Sequence, residues 1–488
     1  MRWVWLGILA GCYNPTIPEN VPCGNGGVCP TPYRCHVGVC VAEPVTDAPG
    51  DLTGFDAPDT LVDATMIDAT MIDAMADASV DACVPSCTGS TLDRCFGPTL
   101  QCSLGCSTSG GAHCERVIPA NGVPVDFVDS VSVATTVTGG IAIFNTDTGE
   151  ITGVVTRTAG AGVNANIRYE QVGSLGVFAF AGFAVDPSGE VRFFGSRPAV
   201  FYAGGDLSVG GKIDLSGGCY GITASCAGPG GGVGAVIGTL AGGCGPGGNG
   251  ASSGPASNND AGGGGGGAGA SGGKGGDSQG ASPATGGVAG GACIAGSLIP
   301  LRGGSGGGGG GPGAAPIYPS GGGGGGGLQL TSQTIVTISG TIIAAGAGGL
   351  GGQAGASGQN ASGGAGGGAG GGILLEAPMV TMVAGSHVAA NGGGGGGGGT
   401  GAQLGGNGAS GGIDATPATG GTGASPGNPG GGNGGAGLTP AASGLTSSTG
   451  GNAGGGGGSV GAISVRTSNA NLNGTFSPPA LPAQLVVQ

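Results

Sequence analysis

The chain has 488 residues, 129 of them glycine, and carries 12 Lys and Arg against 26 Asp and Glu, a net charge of −14. Charged residues make up 8% and aromatics 4%, too few for the core and surface of an ordinary enzyme. So few cations also exclude a nucleic-acid partner, because neutralising phosphates needs clustered Lys and Arg. Ordering a glycine costs about 0.5–1 kcal/mol relative to alanine. Domains are stable by only roughly 5–15 kcal/mol, so these glycines are either mobile or locked in a dense backbone hydrogen-bond network.

The N-terminus begins with a single basic residue, Arg2, followed by an apolar run from Trp3 to Gly11 that closes on Leu9, Ala10, Gly11 and Cys12. This ending resembles the lipobox of bacterial lipoproteins. The resemblance implies a signal peptide over 1–11, cleavage just before Cys12, and a diacylglycerol and palmitate-type acyl chains on that thiol, so that the membrane is a partner through lipid. The plainer alternative is an ordinary secretory signal with an incidental cysteine. No other stretch reaches the roughly 18 apolar residues needed to span a bilayer.

Beyond Cys12, the cysteines fall into three even groups: Cys23, Cys29, Cys35 and Cys40; Cys83, Cys87, Cys95, Cys102, Cys106 and Cys114; Cys219, Cys226, Cys244 and Cys293. Even clusters in an exported chain predict disulfide frameworks whose pairing spacing alone does not fix. The first group forms a small module over 12–45, loosely similar to epidermal-growth-factor-like modules and too small to fold without cross-links. The second forms another module over 83–118. There Cys83, Cys87, Cys102 and Cys106 also make two CxxxC pairs near His113, the beginnings of a zinc site, although an oxidising compartment favours disulfides.

Between the two modules, 46–82 is an acidic Asp-Ala linker in which Asp63, Asp68, Asp73, Asp77 and Asp81 recur at four- or five-residue spacing. Repeated carboxylates raise calcium as a ligand, but the glycine turn and closing Glu of a calcium loop are missing. The reading adopted is a solvated, self-repelling, disordered tether.

From 119 to 488 the sequence predicts an all-β architecture, a parallel β-helix or solenoid with long glycine-rich inserts. Its key is a phrase that repeats. Val336 and Ile338 alternate with polar residues, Gly340 makes a corner, Ile342 and Ala344 alternate again and Gly346 stops the run; Val380, Met382, Gly385, Val388, Ala390 and Gly392 match it position by position. Leu328 with Leu330, and Ile373 with Leu375, precede the copies, giving about three short strands each with period-two burial. Degenerate copies run Phe183, Val185, Gly189, Val191, Phe193; then Leu207, Val209, Gly211, Ile213, Leu215; and last Leu472, Gly474, Phe476 before Pro478 and Pro479, which are expected to cap the stack. One such unit cannot bury its oily face alone, whereas stacked units can. Copies on both sides of the inserts 228–327, 346–372 and 392–458 make these loops of one solenoid. Such loops can be flexible, or they can bundle as polyglycine-II-like helices, resembling glycine-rich antifreeze and phage tail-tip proteins.

Little catalytic chemistry is legible. GxGxxG matches arise by chance at this glycine content, Lys274 lacks the partners of a phosphate loop, and the histidines His36, His113 and His387 have no evident nucleophile beside them. Asp147 and Glu150 sit in a predicted turn, where acids are ordinarily solvated. No metal or cofactor site is assigned. Taken in order, lipobox, cysteine module, Asp-Ala tether and glycine-interrupted solenoid resemble the glycine-rich surface lipoproteins of myxobacteria and related bacteria. That resemblance implies an outer-membrane, surface-exposed, non-enzymatic structural or adhesive protein that contacts neighbouring cell surfaces or extracellular polysaccharide. The alternative function is a polysaccharide-binding or polysaccharide-cleaving β-helix protein, which needs a groove lined with acids, Lys and Arg.

Overall fold

The computed structural model describes residues 84–488 apart from 96, 103, 222, 237–238, 253–258, 281, 314–317, 355–360, 426 and 449, and before these only the strands Val21–Pro22, Tyr33–His36 and Val39–Ala42. Two compact units are present, Met1–Asp81 and Ala82–Gln488. In the first, Tyr33–His36 and Val39–Ala42 pair antiparallel with Cys35 opposite Cys40; Cys12, Cys23, Cys29, Cys83 and the Asp-Ala linker lie outside the described residues. The second unit is nearly all-β, with parallel and mixed sheets compatible with a solenoid-like fold. The cysteine module from 84 to 114 belongs to this same unit.

Three long sheets share one core. Each chain turn contributes one strand to each sheet, for example Leu175–Phe180, Phe183–Val185 and Glu190–Phe194, then Ala199–Ala203, Leu207–Val209 and Lys212–Asp214. Later turns add Gly327–Ser332, Ile335–Ile338 and Thr341–Ile343; Gly372–Glu376, Met379–Met382 and His387–Ala389; and Ala462–Arg466, Asn469–Leu472 and Thr475–Ser477. All successive pairings between these turns are parallel, and the inward ranks are continuous. Val209, Ile338, Met382 and Leu472 are register partners in one rank, which ends on Leu472 exposed at the end of the column, and Phe178, Phe201, Leu330, Leu375 and Val465 in another. Alternation along each strand thus becomes a column of apolar side chains across strands about 4.8 Å apart.

The corner glycines Gly189, Gly211 and Gly340 have a steric reason, whereas the corner Gly385 has open space around it and a left-handed φ of +86°. A Cβ on Gly211 would meet the Gly189 carbonyl at 2.1 Å, and one on Gly340 the Gly211 carbonyl at 2.0 Å. The backbone of the preceding turn occupies that space.

Aromatic residues concentrate at the N-terminal end of the column, where Phe201 lies 4.8 Å from Phe144 and 4.9 Å from Phe183 between ring centroids. Here two of the three sheets turn mixed. Ile151–Gly153 folds back antiparallel on Ile141–Asn145, Ile167–Val172 folds back on Leu175–Phe180 and Gly162–Asn164 in turn on Ile167–Val172, covering edges that parallel pairing would leave open.

At the other end the expectation that Pro478 and Pro479 cap the stack needs correction. The chain continues past them into Leu481–Ala483, which pairs in parallel with Ala462–Arg466, Pro482 opposite Val465. Both prolines fall between strands, so neither removes a ladder donor; Pro482, inside the outermost strand, is the residue that blunts the edge.

The glycine inserts leave and rejoin the column at fixed places: between Asp214 and Gly327, between Ile343 and Gly372, and between Ala389 and Ala462. They form ordered threefold rods. Along 392–399, Gly392, Gly395 and Gly398 donate to carbonyls of 429–435; Gly393, Gly396 and Gly399 to 362–368; Gly394 and Gly397 to 406–409. In turn 349–352, 455–458 and 421–424 donate to its carbonyls, with N···O separations of 2.8–3.1 Å throughout. Only a helix with three residues per turn sends successive N–H groups in three directions 120° apart, so every rod interior to the bundle is hydrogen-bonded to rods all round. Of the two states open to these inserts, the structure has the bundled one.

Spacing explains the join to the sheets. The same N–H···O=C bond sets the distance between strands and between rods, so the ladder through Thr341–Ile343 and His387–Ala389 continues without a step as Ala344 to Ala389 and Gly346 to Asn391. Side chains forbid such close packing elsewhere. Missing Cβ atoms are the condition for it here: on Gly366, Gly396 and Gly455 a Cβ would meet a neighbouring carbonyl oxygen at 2.0 Å.

Disulfides staple the ends of this arrangement. Cys87 pairs with Cys106 and Cys102 with Cys114 in the cysteine module, where Cys95 is also disulfide-bonded. Cys219–Cys226 closes the turn by which the chain leaves the sheets, and Cys244–Cys293 ties two rods across 49 residues. As disulfides, Cys87, Cys102 and Cys106 offer no thiolates for zinc. The double replacement Cys219→Ser/Cys226→Ser is expected to lower unfolding stability by about 2 kcal/mol, from the entropy of a loop with separation 7. An unchanged denaturation midpoint would show that the surrounding hydrogen bonds alone hold this turn.

Candidate interaction surface

Charged side chains on the outer sheet faces are mostly paired. Glu190, Arg192, Lys212 and Asp214 stand in adjacent register positions, with Arg192 Nε 2.9 Å from Glu190, Lys212 Nζ 2.6 Å from Asp214, and the Arg192 guanidinium over the Tyr220 ring. Burial pushes the Tyr220 hydroxyl well above its ordinary range. Its oxygen accepts from the Phe193 N–H at 2.7 Å, making it part of the local frame.

Asp147, one of the turn acids, accepts from the Ser196 N–H at 2.8 Å and hydroxyl at 2.9 Å, which bridges two successive turns of the chain. His113 contacts the Gly111 carbonyl inside the cysteine module, and His387 stands in an outward rank between Thr341 and Thr475. The structure therefore does not bring the described histidines together with a carboxylate pair or a nucleophile. Among the described residues no group of three or more His, Cys, Asp or Glu is placed to hold a metal ion, and no helix is long and apolar enough to cross a membrane.

What the geometry does offer is extended, regular, weakly charged surface. On the face of the sheet that contains Phe183–Val185 and Leu207–Val209, Thr136, Ala184, Ser208, Thr337, Thr381 and Asn471 form one register rank. On the perimeter of the glycine bundle, threefold rods expose every third residue: Leu404, Asn407 and Ser410 on one rod, Thr416, Thr419 and Thr422 on the next. At about 3.1 Å per residue these recur every ~9 Å along each rod. Small uncharged groups on stiff backbones give a flat face that loses little entropy on contact.

One polar site was missed by the sequence reading. The outer face of the sheet that contains Leu175–Phe180 and Ala199–Ala203 is covered by the chain from 117 to 131, and beneath it Glu376 is buried with Thr331 and Arg466 as register partners. Glu376 Oε2 accepts from the Ala120 N–H at 3.1 Å, the Thr331 hydroxyl at 2.9 Å and Gln329 Nε2 at 2.8 Å; Arg466 Nη1 lies 3.5 Å from Oε1. Beside it Gln333 both donates to and accepts from the Val117 backbone and donates to the Tyr202 hydroxyl, whose pKa burial raises to about 12. The available signal was a polar residue at the same place in three copies of the phrase, Thr331, Glu376 and Arg466. This network anchors the entering chain to the sheet. Comparison with family models, with curated proteins and with solved structures finds no match.

Proposed function

We propose that the chain is a lipid-anchored structural or adhesive protein of the cell envelope, a parallel β-helix that holds a rigid glycine-rod bundle away from the membrane. In this reading Cys12 carries the lipid and the acidic linker is the spacer. Partners are neighbouring cell surfaces or extracellular polysaccharide, as in the myxobacterial surface lipoproteins that the order of parts resembles. The supporting observation is the perimeter of the bundle, where side chains emerge at every third position with scarcely a charge among them. Most acids and cations on the outer sheet faces are engaged in ion pairs, which favours a scaffold over polysaccharide cleavage.

Mass spectrometry of the mature protein from cells fed labelled fatty acid tests the anchor: a labelled N-terminal Cys12 is expected, and Cys12→Ala should release the protein from the membrane fraction. An unlabelled N-terminus elsewhere would sink it. Purified protein is expected to leave a panel of polysaccharides uncleaved while its deletion weakens cell cohesion. Cleavage of any polysaccharide would instead establish the enzyme alternative.

A further inference from the structure

The rod at 344–353 sits at the edge of the bundle, and its hydrogen bonds reveal a missing neighbour. Ala347 and Leu350 donate to the rod at 320–323, and their carbonyls accept from Gly368 and Ala365. Gly349 and Gly352 donate to the rod at 394–397, and their carbonyls accept from Gly408 and Gly405 on the other flank. Those bonds use two of the three residue phases of a threefold helix. The third phase is Gly348 and Gly351. Gly351 N–H is satisfied by a side chain, Asn407 Oδ1 at 2.9 Å. Gly348, though buried, makes no backbone hydrogen bond among the described residues through either its N–H or its C=O. The Gly408 carbonyl on the adjoining rod is likewise unused among them.

Gly348, Asn407 and Gly408 border a groove of about 590 Å³ whose opposite wall includes Thr223 and Ser225. Buried backbone groups are almost always paired, and in the interior of the bundle the partner at the corresponding position is another glycine rod. We propose that the groove is a vacant rod position that takes an extended glycine-rich strand from a second polypeptide. The guest would accept from Gly348 N–H and donate to the Gly348 and Gly408 carbonyls. It is the threefold counterpart of adding a strand to an open sheet edge.

The chemistry of the guest follows from the walls. Rods that hydrogen-bond at this spacing are bare where they meet, since a Cβ on Gly396 would lie 2.0 Å from the Leu350 carbonyl and one on Gly455 2.0 Å from that of Ala365, so a chain docking at rod distance must also be bare where it faces Gly348 and Gly408. The wall from Asn407 to Ser410 spans about 9 Å at ~3.1 Å per residue, enough for roughly one turn of guest. A docking mode built from backbone bonds selects for glycine content and not for charge. It does not depend on how the protein is anchored.

The test uses the full chain, isotope-labelled, and a peptide copying residues 391–399 with lysines at both ends for solubility. Saturating peptide is expected to slow amide exchange at Gly348 by about tenfold or more while Gly396, already interior, stays unchanged. The same peptide with alanine for every glycine should give no protection. Thr223→Trp and Ser410→Trp, at exposed rim positions, should each abolish the effect, whereas Ala442→Trp elsewhere on the perimeter should not. Unprotected Gly348 at saturating peptide, equal protection by the alanine peptide, or full protection in both rim variants would each overturn the proposal.

Discussion

Replacing Gly396 by alanine is expected to destabilise the protein by about 3–5 kcal/mol, an unusually large effect for adding one methyl group. The added Cβ would lie 2.0 Å from the Leu350 carbonyl oxygen, whereas real Cβ contacts essentially never fall below 3.0 Å, so the rod must shift by about 1 Å. That displacement stretches bonds of 2.8–2.9 Å on several sides at once: Gly396 to Ala365, Gly455 to Gly396, Gly393 to Gly368 and Gly458 to Gly393. Each is worth only about 1 kcal/mol, but a rigid rod loses them together and leaves buried groups unpaired. Gly291→Ala and Gly412→Ala are the matched controls, since nothing lies within 4 Å of a Cβ there and neither has a left-handed φ. These should be neutral or stabilising by about 0.4–1 kcal/mol, because alanine restricts the unfolded chain. Denaturation midpoints of the three variants, with amide exchange at Gly366 and Gly455 to localise the loss, decide the matter. Equal midpoints for Gly396→Ala and Gly412→Ala would mean that the bundle is not close-packed.

The same contrast explains how much of the molecule can be read from its sequence. Period-two burial with glycine corners is a local signal repeated at matching positions, so the ranks through Ile338, Met382 and Leu472 follow from aligning the phrase with itself. The antiparallel hairpins near Ile151 and Gly162 carry no such repeat, because they exist to close edges and obey the geometry of an end. Rods are harder still. A run such as Gly392 to Gly399 has no side-chain pattern, and its order lies in bonds to six other segments of the chain, so composition alone leaves a mobile loop and a close-packed rod equally consistent with it. Glu376 was obscured for the opposite reason. Its polarity at a strand position reads as solvent-facing, and only the return of Ala120, separated by 256 residues, makes that position interior.

Removing that carboxylate is the second change expected to have a large effect. Glu376→Ala leaves the Ala120 N–H, Gln329 Nε2 and the Thr331 hydroxyl without their shared acceptor and strands Arg466, whose side chain is 10% exposed, beside a cavity. Breaking one partner of a buried ion pair costs about 3–5 kcal/mol, and here the covering segment from 117 to 131 should loosen with it. The pH dependence has a definite sign. Burial raises the Glu376 pKa above its ordinary value of 4.5, outweighing the hydrogen bonds and Arg466, which lower it. A carboxyl whose folded pKa exceeds its unfolded one binds its proton more tightly when folded, so the stability it contributes is complete at acid pH and declines as pH rises through the folded pKa. Glu376→Gln keeps an oxygen for the three donors and cannot ionise, so it should remove that decline. Unfolding free energies across a pH series, starting below the ordinary value of 4.5 and rising to neutrality, are therefore expected to fall less for Glu376→Gln than for the unaltered protein. Parallel curves would show that the carboxyl remains ionised over the whole range, with Arg466 and not burial governing its charge.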